Sequence, residues 1–83
     1  MRIEYEGPAG FMNKVAFEAA GRCGVESYVV SETKKGLPFD DIVHVFMDFD
    51  AELAKAEFDQ LRVWVATTLS EKIKIRRAGH DEN

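Results

Sequence analysis

Ile42-Val43-His44-Val45-Phe46-Met47-Asp48-Phe49 is the stretch on which the fold turns. It has no Gly or Pro and is rich in β-branched and aromatic residues, which predicts a strand. Successive strand side chains alternate between faces. Val43, Val45, Met47 and Phe49 therefore share one face, and Ile42, His44, Phe46 and Asp48 share the other. The first set is wholly apolar and belongs in a core.

Towards the C-terminus, Asp50 is suited to cap a helix, and Glu52 suits the positive end of its dipole. The helix is predicted to run to about Ser70, burying Ala54, Phe58, Leu61, Val65 and Leu69, with Leu53 and Trp64 at the margins. Lys72 to Arg77 alternates charge with isoleucine, a further strand with Ile73 and Ile75 inward. Gly79 to Asn83 is a polar tail expected to fray.

Towards the N-terminus, Lys34 to Asp41 reads as a loop around Gly36 and Pro38. Val25 to Thr33 reads as a strand. Its inward face is open, because Val29 and Val30 are adjacent; either Tyr28 with Val30, or Val29, joins the face of Ile42. Phe11 to about Arg22 carries a helical stripe of Phe11, Val15 and Ala19 beside Met12, Ala16 and Ala20, with Gly24 placed to end it in the left-handed conformation. Gly7-Pro8-Ala9-Gly10 breaks the chain before it. Arg2-Ile3-Glu4-Tyr5-Glu6 alternates as a strand, with Ile3 and Tyr5 inward.

The order β-α-β-β-α-β predicts an α+β fold: a ferredoxin-like βαββαβ sandwich, antiparallel sheet order 4-1-3-2, with two helices on one face. One such domain covers residues 1–78. In that order Arg2, Glu4 and Glu6 lie beside Lys72, Lys74 and Arg76, so opposite charges meet across the pair.

The 83 residues are 46% hydrophobic and 31% charged, which argues against disorder. A net charge of −4 disfavours contact with a phosphate backbone. One cysteine, Cys23, cannot form an internal disulfide, and Arg2 to Glu6 offers no apolar signal region. A soluble, cytoplasmic protein is the expectation.

Each candidate site has a plain structural counterpart. Gly7 and Gly10 at a helix start, with Lys34 and Lys35 at the same end of the sheet, form a weak anion-binding candidate. Asp48, Asp50 and Glu52 resemble a short acidic cation motif, yet a strand end, a cap and a dipole contact account for them; no metal and no cofactor is expected. His44 lacks an evident polar partner to make it a general base, so no catalytic residue is expected. Phe46 and Phe49 sit where RNA-stacking aromatics would, but Glu4 and Glu6 face the same surface and repel phosphate. Phe17 and Trp64 are half-buried core edges or partner anchors.

The outer sheet face, with Tyr28, Ile42, His44 and Phe46, is more apolar than a solvated face should be. The expected function is a small non-enzymatic protein-interaction module that uses this face to bind a protein partner or form a homodimer. Two alternatives follow: a small-molecule-binding sensor or dimeric α/β-barrel enzyme enclosing a ligand between sheet faces, and an RNA-binding module. No membrane contact is expected.

Overall fold

In the computed structural model the described residues are 1–34 and 42–78. Their elements are β1 (Arg2–Pro8), α1 (Ala9–Cys23), β2 (Val29–Lys34), β3 (Ile42–Asp48), α2 (Lys55–Trp64) and β4 (Lys74–Ala78). A single π-helical turn, Val65–Leu69, extends α2. The four strands form one open antiparallel sheet in the order β2-β3-β1-β4. Lys34, expected to open a loop, instead ends β2; the rest of that expected loop, residues 35–41, and the expected tail lie outside the described residues.

One buried cluster organises the molecule. Ile3 and Tyr5 of β1, Val45 and Met47 of β3 and Ile75 of β4 meet Val15, Ala16 and Ala19 of α1 and Phe58 and Leu61 of α2. Both helices thus cover the same sheet face. Small alanines on α1 let its backbone approach the strands. Gly24 ends α1 at φ 77°, a left-handed conformation that costs glycine nothing. The Val25 amide then returns to the Ala20 carbonyl at 3.0 Å.

Three local expectations give way to longer-range contacts. The first concerns α2, which starts at Lys55 after Ala54, not after Asp50. The Phe49 amide donates to the Met1 carbonyl (2.8 Å), so the chain still belongs to the sheet there. Arg77 then donates to the Leu53 carbonyl (3.2 Å) and the Glu52 carboxylate (3.1 Å). With Phe49 and Leu53 both buried, this segment is held outside the helix, bending at Asp50 and Ala51, and Ala54 is left exposed.

The second is β2, which begins at Val29 rather than Val25. Val25 serves the α1 cap. The β2–β3 register shifts between Val30 and Glu32, a bulge that breaks the period of two. Val29 pairs with Asp48 and Val30 with Met47. Cross-strand partners share a face, so Val29 belongs to the outer one.

The third is the join between β1 and α1. β1 does not break at Gly7; Gly7 pairs with Val43 and Pro8 with Ile42. The helix follows without a loop, and Pro8 is its cap position. At the far end, Lys72 lies in a turn before β4, its amide donating to Ser70 Oγ (3.1 Å). Among the described residues no helix is long and apolar enough to cross a membrane.

Candidate interaction face

β3 supplies the axis of the outer face. Val45 and Met47 are buried under the helices, so Ile42, His44, Phe46 and Asp48 point away from them. β1 adds Arg2, Glu4 and Glu6. β4 adds Lys74 and Arg76, in register with Glu6 and Glu4. β2 adds Val29, 63% exposed.

Glu4 is the hub of this face. Arg76 Nε donates to Glu4 Oε1 at 2.6 Å, and His44 Nε2 contacts Glu4 Oε2. The Glu4 side chain is only 13% exposed. The Arg76 hydrogen bond, aided by His44, holds its carboxyl below the ordinary value of 4.5, against the partial desolvation. An ionised carboxylate only accepts, so His44 Nε2 is the donor in this contact.

A second pair lies alongside. Arg2 Nε donates to Asp48 Oδ1 (2.9 Å), and the Arg2 guanidinium lies 5.3 Å from the Phe46 ring centre. The His44 ring centre also lies close to Phe46, at 5.8 Å. Phe46 is therefore half-buried by charged and aromatic neighbours of its own face, not left wholly wet. The connected row Asp48, Arg2, Phe46, His44, Glu4, Arg76 spans β3, β1 and β4. The Arg2–Asp48 pair is exposed enough to contribute little to stability, and Arg76 is mostly exposed. These contacts fix where each side chain stands.

Acid should undo the hub. Because the Glu4 carboxyl is depressed in the folded chain, its contribution is complete above about pH 4.5 and is lost as pH falls through the lower folded-state value. Urea midpoints measured at successive pH values below 4.5 should fall less steeply for Glu4→Gln than for the parent. Parallel slopes would show that Glu4 is not a source of acid sensitivity.

The other expected site residues are placed as follows, as far as they are described. Tyr28 precedes β2 and packs on the buried cluster, its ring 5.8 Å from Phe49, so it is not beside Ile42, His44 and Phe46. Gly7 lies inside β1, where Ile73 and Tyr5 fill the space a side chain would need. Gly10 is in the first turn of α1. Lys34 pairs through its backbone with His44, and Lys35 lies outside the described residues. Asp48 is taken by Arg2 and Glu52 by Arg77, while Asp50 is exposed and does not cap α2. Among the described residues no three carboxylate, imidazole or thiol groups gather as metal ligands would. Cys23 is half-buried at the end of α1, and burial pushes its thiol up.

The sequence reading missed Glu4 as the partner of His44. The strand order held the signal, since strand one lies between strands three and four. Glu4 stands directly opposite Phe46 and reaches His44 along the diagonal, a contact that needs the register as well as the order. The chain matches no protein-family model, no curated protein and no solved structure.

Proposed function

We propose that this chain is a ferredoxin-like, non-enzymatic interaction module that docks another protein on its outer sheet face. The sheet order and the placement of both helices on one side support the ferredoxin-like reading. The observation that carries the function is the row Ile42, His44, Phe46, with Val29 alongside it, bordered by the positioned charges of Arg2, Asp48, Glu4 and Arg76. Interfaces combine an apolar centre with a polar rim in this way. Charged side chains already held in place lose less conformational freedom on docking.

The test is Phe46→Glu, which puts a carboxylate in the centre of the row. Lys55→Glu, at a 92% exposed side chain of α2, is the control. Both are compared with the parent in quantitative capture from a cell extract, after circular dichroism has established equal folding. The expected result is a set of bound proteins depleted at least tenfold, about 1.4 kcal/mol or more, by Phe46→Glu and retained by Lys55→Glu. Equal capture by all three chains sinks the reading.

A further inference from the structure

The most exposed aromatic group described in this chain is not on the sheet. Phe17 of α1 is 78% exposed. It stands on the outward ridge of α1 with Asn13, Lys14 and Gly21, at spacings of three and four residues. Beside the ridge, Phe17, Trp64 and Leu69 line a cleft of about 450 Å³ between α1 and the end of α2, bordered by Lys14 and Glu18. An exposed phenyl ring next to an apolar cleft is surface that an association can bury.

We propose that this helical face is occupied by a second copy of the chain, with the two α1 helices antiparallel about a two-fold axis beside Phe17. The charges carry the choice of occupant. Lys14 and Glu18 are one helical turn apart and of opposite sign. A two-fold axis midway between them sets Lys14 of each copy against Glu18 of the partner, so one surface satisfies both ion pairs. A two-fold contact is self-complementary in this sense. Within one chain Lys14 does not close on Glu18: its ammonium lies 5.9 Å from the Phe11 ring centre, and Glu18 bonds Arg22 at 2.9 Å. Near the axis the two Phe17 rings meet and cover each other's cleft. Gly10 and Gly21, with open space where a side chain would stand, let the two backbones approach on either side.

This surface is independent of the sheet face, and the two readings fail separately. Sedimentation equilibrium and native mass spectrometry at low salt test it. The parent chain is expected to dimerise reversibly, and Phe46→Glu to dimerise like the parent. Phe17→Glu, Lys14→Glu and Glu18→Lys are each expected to weaken self-association at least tenfold. Mixing Lys14→Glu with Glu18→Lys is expected to restore a dimer of one copy of each, because both cross-axis pairs are then opposite in sign. A parent that stays monomeric overturns the proposal. So does a dimer that Phe17→Glu leaves intact, or a mixture of the two charge variants that forms no mixed dimer.

Discussion

Phe58→Ala is expected to lower stability by about 3–5 kcal/mol. Phe58 is the aromatic centre of the α2 face, buried against the sheet and packed in the same cluster as Val15, Leu61 and Met47. Truncation removes its buried contacts and leaves a cavity. The walls cannot close it cheaply, since the central strands β1 and β3 are hydrogen-bonded on both sides and α1 is fixed by its own buried face. A chain of this length has about 4–12 kcal/mol of total stability, so the variant should be largely unfolded in mild urea. Val63→Ala on the same helix is the contrast: Val63 is 61% exposed, and its loss should change stability by no more than about 0.5 kcal/mol. Urea unfolding followed by circular dichroism and Trp64 fluorescence measures both. A Phe58→Ala cost below about 1 kcal/mol would mean that α2 is not seated on the sheet as described.

Gly7→Ala is expected to cost about 1–3 kcal/mol, the penalty for forcing an extra methyl into a filled core. The sign is the informative part. Where space allows, replacing a glycine with alanine stabilises a fold by about 0.4–1 kcal/mol, because the unfolded chain loses freedom. At Gly7 the new Cβ would stand 3.0 Å from Ile73 Cγ1, 3.1 Å from Tyr5 Oη and 3.2 Å from Ile73 Cα. The Ile73 side chain can turn aside; its backbone is held by the Ser70 carbonyl (3.3 Å). Tyr5 is fixed as well, its hydroxyl donating to the Pro8 carbonyl at 2.5 Å, and burial pushes its phenol up to about 12. Gly10→Ala, a few residues on and facing open space, should move stability in the opposite direction. Urea midpoints of the two variants measure the difference. A stabilising Gly7→Ala would refute the close approach of β1 to Ile73.

These contrasts mark how far the sequence was readable. The alternation of β3 assigned Val45 and Met47 to the core and Ile42, His44 and Phe46 to the outer face, because a strand's period of two needs no knowledge of its neighbours. The α1 stripe and the Gly24 cap were legible for the same reason: helix period and glycine stereochemistry are local. Asp50 misled because its capping chemistry is sound but loses to Arg77, which lies on β4 and bonds Glu52 and the Leu53 carbonyl ahead of the helix. Val29 and Val30 were ambiguous because a bulge sits beside them, and a bulge depends on the partner strand. Of the outer face, its apolar row was visible in the chain. Its charge network was not, because the meeting of Glu4, His44 and Arg76 depends on the register of three strands distant in sequence.

The π turn at Val65–Leu69 bears on how the length of this chain can change through descent. The Ser70 amide closes on the Val65 carbonyl five residues back, at 3.1 Å, where an α-helix would close four back. The turn therefore stores one residue beyond what the helix needs. A sequence one residue shorter between Ala66 and Leu69 can close as an ordinary α-turn and still deliver Ile73 to the core. The same loss within β3 would exchange its two faces, bringing His44 and Phe46 under the helices and Val45 and Met47 out. Insertions and deletions among descendants of this sequence should thus collect at the end of α2 and spare the central strands.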